Sequence, residues 1–211
     1  MMRLAIMQPY FFPYPGYFEL MASVDVFMYF TDAQYKRGWI NRNRIRNGNE
    51  WIYITVPVCK HKQTDKISEI SVSDQWRQTS AKHITTFKHI YKKKTDPLIQ
   101  LYESLATHSN LCQLLKFSLG EMCNYLAIKV DTEDSSKYTS DLTGEDRIID
   151  LCKRMGATTY VNLPGGSNLY SHSRFNSENI KLEFMPMTSR GTLSILDYCF
   201  YENDLRIKTW P

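Results

Sequence analysis

The N-terminal segment constrains the fold most, because it reads as a strand, a tight loop, a helix and a second strand. Residues 4–7 are a short apolar run that ends before Pro9, which has no N–H group for a central ladder. From Tyr17 the apolar positions follow helical spacing, and residues 25–30 form a second apolar run. The segment therefore predicts a βαβ unit and a parallel sheet.

The middle of the chain predicts a hairpin, since the β-rich residues 39–45 and 51–58 flank the turn sequence at 47–49. The other predicted elements are helices over 75–94, 97–107, 110–127, 144–154 and 193–201, and strands over 66–72, 128–130, 158–161 and within 177–184. Strand–helix alternation at both ends predicts an α/β fold, an open and mostly parallel sheet with flanking helices. We expect one domain over residues 1–211, with the hairpin and a possible helical insertion at 75–127.

The composition excludes several classes of protein. No apolar run approaches the roughly 18–20 residues that span a bilayer, and the first apolar run is too short for a signal peptide. We therefore expect a cytoplasmic protein that does not act on a membrane. The five scattered cysteines contain no C-x-x-C pair, so they predict neither a disulfide framework nor a zinc site, and no other metal motif is evident.

A basic stretch at residues 36–46 predicts an anionic ligand. It contains five Lys and Arg residues and no acidic residue. Trp39, Ile40 and Ile45 are interleaved with these cations and require burial nearby, which would hold the arginines in fixed positions. Phosphate groups and nucleic acid both fit such a stretch, and we expect phosphate rather than nucleic acid.

The loop after the first strand, residues 8–17, is the densest cluster of aromatic and turn-forming residues. In an open parallel sheet, ligands bind beyond the carboxyl ends of the strands, where this loop lies. Gly16 would let a ligand approach the backbone, and the free N–H groups at the helix start favour a phosphate. A rigid loop that only packs against the core is the alternative.

Together these motifs resemble the WbqC-like family over nearly the whole chain. The matching segments are Met7-Gln8-Pro9-Tyr10, Pro13, Gly16-Tyr17-Phe18, Asp32-x-Gln34-Tyr35, Gly38-Trp39-Ile40-Asn41-Arg42-Asn43-Arg44, Trp51, Thr55-x-Pro57, Trp76, His83, Tyr91, Arg147, Gly156-Ala157, Tyr160, Gly165-Gly166, Tyr170 and Ser194-x-x-Asp197. Genes of this family commonly lie among those for bacterial O-antigen and other surface polysaccharides, and acylation or aminoacylation of an amino sugar has been suggested from that context. The resemblance implies a biosynthetic pathway without a defined reaction.

The order of strand, Pro-x-Pro-Gly loop, helix and strand is also similar to the nucleotidylyltransferase superfamily, which includes enzymes that activate carboxylates as adenylates. A His-x-Gly-His motif occupies this loop there, whereas this chain has Tyr14-Pro15-Gly16-Tyr17 and lacks both histidines. This fold-level analogy implies carboxylate adenylation, with ATP and Mg²⁺ as cofactors, as an alternative function. The missing imidazoles count against ordinary nucleotidyl transfer.

Two side chains are candidates for a general base. Asp32 follows the second strand, so it should lie at the ligand-facing edge of the sheet, unless it only caps a turn. His83 shares a helical face with Trp76, Phe87 and Tyr91. It would pack in the core there or, if it reaches a cleft, deprotonate an amine near neutral pH.

The leading prediction is a transferase that forms an amide on a nucleotide-linked amino sugar, from an acyl or aminoacyl donor. Arg42, Arg44 and Lys36 would hold the diphosphate, since arginine binds phosphate oxygens bidentately. The other predicted substrate-binding residues are Tyr10, Tyr17 and Trp39 for stacking, Asn41 for sugar hydroxyls, and Gln8, Gly16, Gln34, Tyr35, Gly165 and Gly166. A non-catalytic module that binds nucleotide sugar or RNA through the hairpin is a third prediction.

Overall fold

Five parallel strands form the central sheet of the computed structural model, which describes residues 1–92, 95–186 and 191–201. The described strands are β1 (Arg3–Met7), β2 (Val26–Tyr29), β3 (Arg42–Asn47), β4 (Glu50–Thr55), β5 (Asp131–Asp134), β6 (Thr159–Asn162) and β7 (Lys181–Phe184). The sheet has the order β5-β2-β1-β6-β7, while β3 and β4 pair antiparallel as a separate hairpin. The predicted α/β class, with a parallel sheet and an inserted hairpin, is confirmed.

Helices cover both faces of this sheet. They are α1 (Pro15–Ala22), α2 (Trp76–Tyr91), α3 (Asp96–Leu105), α4 (Leu111–Leu126), α5 (Gly144–Met155) and α6 (His172–Ser177). One hydrophobic cluster joins Ala5 of β1 to α1–α4 and the hairpin, and a second joins Leu4 and Ile6 to α5 and α6. Neighbouring residues of β1 thus enter opposite cores, as expected for a strand buried on both faces. No helix among the described residues is long and apolar enough to cross a membrane.

The strand order predicts a crevice between the loops after β1 and β6, at the carboxyl ends of the strands. From the central β1, the chain adds β2 and β5 on one side and β6 and β7 on the other. The connections after β1 and β6 lead to helices in different cores, α1 in the first and α6 in the second. Ligands of open α/β sheets bind at such a switch point, beyond the carboxyl ends of the strands.

Three predicted elements differ from the observed ones. Residues 66–72 do not form a strand, because the segment Ile67–Glu69 is a 3₁₀ turn in which the Glu69 carboxylate accepts from the N–H of Lys66 at 2.7 Å. Residues 128–130 precede a strand instead of forming one, since the N–H of Ile128 bonds to the end of α4 and β5 begins at Asp131. The closing helix predicted over 193–201 is shorter, with a π-helical segment Asp197–Tyr201.

Both outer strands of the sheet are short and charged. β5 has the sequence Asp-Thr-Glu-Asp, and β7 has Lys-Leu-Glu-Phe. Each has four residues, and each pairs with a sheet neighbour on one side only.

Candidate functional site

The hairpin holds the loop after β1 in an uncommon conformation. Asn43 of β3 donates from Nδ2 to the carbonyl oxygens of Phe11 at 3.3 Å and Phe12 at 2.8 Å. Phe12 has a φ of 43°, which is rare for a bulky residue. The Ser194 hydroxyl also donates to the carbonyl oxygen of Phe12, at 2.8 Å. Side chains from two distant segments therefore stabilise this backbone.

A pocket of about 230 Å³ lies where this loop meets the hairpin. Its lining residues are Tyr10, Pro13, Tyr14, Trp39, Asn43, Arg44 and Thr192. The fold therefore brings together three of the predicted substrate-binding residues, Tyr10, Trp39 and Arg44, from two separate segments. We call this cavity the loop–hairpin pocket.

Arg44 is the charged group of the loop–hairpin pocket. Its guanidinium carbon lies 5.2 Å from the ring centre of Trp39 and 5.1 Å from that of Trp51, and Nη2 donates to the Thr192 hydroxyl at 3.0 Å. Its Nε is buried without a hydrogen-bond partner, and no carboxylate in the described part of the chain pairs with it. A planar cation without a counter-ion is suited to bind an anionic ligand.

The outer face of the hairpin extends this cationic surface. In the register Arg42 is opposite Thr55 and Arg44 is opposite Tyr53, so both arginines lie on the same face, while Asn43 between them is buried. The Arg42 guanidinium lies 4.4 Å from the ring centre of Tyr53, which is 41% exposed. Cations and exposed aromatic rings thus alternate beside the pocket.

Gln8 and Tyr10 are neighbours in the loop after β1, whereas Gly16 and Tyr17 are buried at the start of α1. The Tyr10 hydroxyl approaches Gln8 Oε1 at 3.4 Å. Tyr17 is fully buried, donates to the Gln8 carbonyl at 2.9 Å and has a pKa raised well above its usual value by burial, so its ring supports the loop and does not face the pocket. The Tyr14 ring covers Gly16, where a Cβ would lie 2.7 Å from a ring carbon. This ring occupies the space that a ligand would need.

Four further predicted substrate-binding residues do not line the loop–hairpin pocket. Asn41 is buried and donates to a backbone carbonyl after β4 at 2.9 Å. Gln34 donates to a backbone carbonyl of a neighbouring loop at 2.5 Å, and Tyr35 is buried against that loop with a pKa that burial raises. Lys36 is exposed.

Asp32 lies at the carboxyl end of β2, where its carboxylate is paired with a buried cation. It accepts from Nη2 of Arg147 at 2.9 Å and from the Ser135 hydroxyl. Arg147 is 2% exposed and also pairs with Asp150 at 3.0 Å. The carboxylate therefore faces α5 and neutralises Arg147.

His83 packs among aromatic rings of the helical insertion. Its ring centre lies 6.0 Å from that of Trp76 and 5.9 Å from that of Tyr102. Burial lowers the pKa of His83 to about 4, so the imidazole is neutral at pH 7. Its Nδ1 is buried without a hydrogen-bond partner among the described residues. His83 is not among the residues that line the loop–hairpin pocket.

The Gly165-Gly166 loop after β6 does not line the loop–hairpin pocket. A Cβ on Gly166 would lie 2.8 Å from Asn162 Nδ2 and 3.4 Å from the ring of Tyr170, so close packing requires glycine there, whereas Gly165 is exposed with open space around it. The ring of Tyr170 packs edge-to-face against Tyr160 of β6, with the ring centres 5.5 Å apart.

Two further features of the described residues bear on where the site lies. No group of three or more His, Cys, Asp or Glu side chains in that part of the chain is placed to hold a metal ion. A larger groove of about 780 Å³ lies between α4 and mainly the amino ends of β2 and β5. Because ligands of parallel sheets bind at the carboxyl ends, we assign the site to the smaller loop–hairpin pocket.

Six residues of this region are absent from the predicted set. They are Pro13, Tyr14, Asn43, Thr192, Asn162 and Tyr170. Pro13, Asn43 and Tyr170 lie in the segments that carried the family resemblance. Tyr14 lies in the aromatic loop, so a signal for these four was present. Nothing local marks Thr192 or Asn162, whose roles depend on contacts made by the folded chain.

Comparisons with known proteins cover nearly the whole chain. The model of the WbqC-like protein family matches residues 8–207. The chain is 32% identical over 190 residues to the uncharacterized protein Rv1507c of Mycobacterium tuberculosis, and this match covers 86% of the chain and 81% of that relative. No solved structure matches with statistical significance.

Proposed function

The chain belongs to the WbqC-like protein family, and on this premise we propose that it is a transferase that forms an amide on a nucleotide-linked amino sugar. Family membership indicates a role in polysaccharide biosynthesis. The amine nitrogen of the sugar would attack an activated acyl or aminoacyl group. The leaving group of the donor would depart with the bonding electron pair.

The observation that carries the proposal is Arg44 in the loop–hairpin pocket. Its guanidinium lies within 5.2 Å of the ring centres of Trp39 and Trp51 and has no carboxylate partner among the described residues. An anionic ligand would supply that partner, and a diphosphate fits the planar fork of arginine. Arg42, on the same face of the hairpin, would contact the second phosphate.

The aromatic residues around Arg44 support a nucleotide as this ligand. Trp39 is 46% exposed, and Tyr10 and Tyr14 line the same cavity, so a base or a sugar can stack there. At about 230 Å³ the pocket is below the roughly 300–1,000 Å³ of typical ligand pockets. It would therefore hold one part of a nucleotide sugar, and the remainder would extend towards the hairpin face or the crevice.

In this proposal neither predicted base takes the proton from the attacking amine. Asp32 is paired with Arg147, and His83 is packed among aromatic rings, and neither lines the pocket. In this proposal the attacking amine loses its proton to solvent or to another part of the substrate.

Ligand binding to Arg44 variants tests the proposal. We expect UDP-, dTDP- or GDP-linked amino sugars to raise the melting temperature, since a ligand at a hundred times its Kd stabilises a protein by about 2.7 kcal/mol. Arg44→Ala should weaken the binding by about 1.5–3 kcal/mol, the range for hydrogen bonds to charged groups. Arg77→Ala, which removes an exposed cation of α2, is the matched control and should bind normally. Equal binding by Arg44→Ala would contradict the assignment.

Carboxylate adenylation is the second candidate, favoured by the switch point beside the loop after β1. In this reading ATP with Mg²⁺ binds in the crevice, and another protein transfers the acyl group. Release of pyrophosphate from ATP and a free amino acid, without any sugar, would support adenylation. Its absence, together with acyl transfer to a nucleotide sugar, would support the transferase.

A further inference from the structure

The segment that precedes the π-helical residues contributes to the loop–hairpin pocket. The N–H of Ser194 donates to the carbonyl oxygen of Arg44 at 2.9 Å, and the N–H of Ile195 donates to that of Pro13 at 2.9 Å. These two bonds tie the segment to the hairpin and to the loop after β1 at the same time. The side chain of Thr192 is thereby held at the pocket, which it lines together with Arg44.

The backbone immediately before Thr192 requires glycine. Gly191 has a φ of 79°, in the left-handed region that side chains other than glycine rarely adopt. A Cβ on this residue would also lie 3.0 Å from the hydroxyl oxygen of Tyr198. The backbone conformation that brings Thr192 to the pocket is therefore one that a larger residue at position 191 would strain.

The hydroxyl of Thr192 has a hydrogen to donate to a ligand. Its oxygen accepts from Nη2 of Arg44 at 3.0 Å, which uses its acceptor capacity and leaves its one donor. Among the described residues this donor meets no acceptor, and the side chain is exposed. A hydroxyl that accepts from a cation is polarised, so it becomes a stronger donor in turn.

The amide nearest to the guanidinium is already occupied. Asn43 donates from Nδ2 to two carbonyl oxygens of the loop after β1, and its Oδ1 accepts from the N–H of Arg44 at 2.8 Å. Besides the phenols of Tyr10 and Tyr14, the polar groups left for a ligand are the guanidinium and the Thr192 hydroxyl. This end of the pocket therefore offers donors and a positive charge, which favour an anionic oxygen and disfavour an ammonium group.

We propose that Arg44 and Thr192 bind the same phosphate group of the substrate, Arg44 through its Nη hydrogens and Thr192 through its hydroxyl. The inference rests on the proposed function, in which the substrate is a nucleotide-linked amino sugar. It assigns the Arg44 end of the loop–hairpin pocket to phosphate. The amine of the sugar, which is partly an ammonium near neutral pH, then lies away from this end, where the acyl donor can reach it.

Binding of UDP, dTDP and GDP to Thr192 variants tests the assignment. Thr192→Val keeps the shape of the side chain without its hydroxyl and should weaken the binding roughly 10- to 150-fold in calorimetric titrations, the range for a hydrogen bond to a charged group. Thr192→Ser keeps the hydroxyl and should bind almost as the wild type does. Thr85→Val removes an exposed hydroxyl of α2 and is the matched control. Equal affinity of Thr192→Val and the wild type, or no binding of any of the three diphosphates, would overturn the proposal.

A double variant separates contact with the phosphate from support of the guanidinium. Arg44→Lys keeps the positive charge but lacks the planar fork of arginine. If the hydroxyl contacts the phosphate, Thr192→Val should weaken binding by a similar factor in the Arg44→Lys protein. A loss that disappears in this background would show that Thr192 only positions the guanidinium, and the direct contact would be wrong.

This proposal and the proposed function fail separately. If a nucleotide-linked amino sugar is bound and acylated equally by the wild type and by Thr192→Val, the transferase stands and the phosphate site is wrong. If the nucleoside diphosphates bind through Arg44 and Thr192 but no nucleotide-linked amino sugar is acylated, the phosphate site stands and the transferase is wrong.

Discussion

The buried imidazole of His83 makes stability depend on pH. Its pKa is about 4 in the folded protein against 6.5 for an exposed histidine, so the unfolded state binds the proton more readily between these values. Stability from this group is present above pH 6.5 and is lost as the pH falls towards 4. We expect it to contribute a loss of about 2 kcal/mol between pH 7 and pH 5.

Urea unfolding of His83→Gln at pH 7 and pH 5 measures this effect. Between pH 7 and pH 5 the free energy of unfolding should fall by about 2 kcal/mol less in this variant than in the wild type. His89→Gln, on the exposed side of the same helix, should behave like the wild type. The same pKa bears on catalysis, because a base of pKa about 4 is already deprotonated across pH 5.5–8. Activity that rises through pH 6–7 would therefore exclude His83 as the base.

The pair formed by Asp32 and Arg147 predicts a structural effect of mutation. Asp32→Asn should lower the free energy of unfolding by about 1.5–3 kcal/mol, because a buried guanidinium loses a charged acceptor. Asp150→Asn removes the other carboxylate of Arg147 and is the matched control, with a loss of similar size. Loss of turnover in Asp32→Asn at unchanged stability would instead identify a general base.

The contact between the hairpin and the loop after β1 predicts two separable outcomes. Asn43→Ala removes the amide that binds the carbonyls of Phe11 and Phe12, which should cost about 1–3 kcal/mol of stability and also weaken ligand binding at the pocket. Asn41→Ala removes a buried amide that bonds to Val56 and does not line the pocket. It should lose comparable stability and keep its affinity, as thermal unfolding with and without nucleotide sugar would show.

Elements with strong periodicity were predictable, and charged or capped segments were not. The apolar runs of β1 and β2 and the helices α2–α4 follow simple spacing rules. β5 was not predicted, because its residues are mostly charged, which an edge strand next to solvent tolerates. The apolar residues 128–130 before it gave the stronger strand signal. Residues 66–72 alternate in sequence, yet Ile67 and Ile70 are both buried, at the spacing of a tight turn.

At the scale of the molecule, the site is predictable only in part, because it joins distant segments. Tyr10, Trp39 and Arg44 stand out locally, and the carboxyl edge of a parallel sheet is a general binding position. That the hairpin folds back onto the loop depends on hydrogen bonds between residues about 30 apart. The buried state of Tyr17 and Asn41 likewise follows from tertiary packing, which residue type alone does not determine.

The charge of the hairpin allows a test between a small ligand and RNA. Residues 36–46 contain five cations and no acid, so some attraction for any polyanion is expected. A nucleotide sugar with one diphosphate should bind with a shallow salt dependence, whereas single-stranded RNA adds about −0.7 to the logarithmic slope for each neutralised phosphate. Fluorescence anisotropy with a 12-nucleotide RNA over a range of salt concentrations measures this. Tighter, steeply salt-dependent RNA binding would favour the non-catalytic module.

The charged outer strands also bear on how the protein behaves when crowded. An unpaired strand edge is a template for strand addition by another copy, and like charges on that edge oppose it. β5 carries three carboxylates in four residues, and ion pairs bring Lys137 to Glu133 and Lys116 to Asp134, so charged side chains of both signs lie beside this edge. The hydrogen bond from Lys137 lowers the pKa of Glu133. Concentrated solutions should therefore resist fibrillar aggregation until the pH falls below the ordinary titration range of a glutamic acid, where the charge of this carboxylate, and with it part of this protection, is lost.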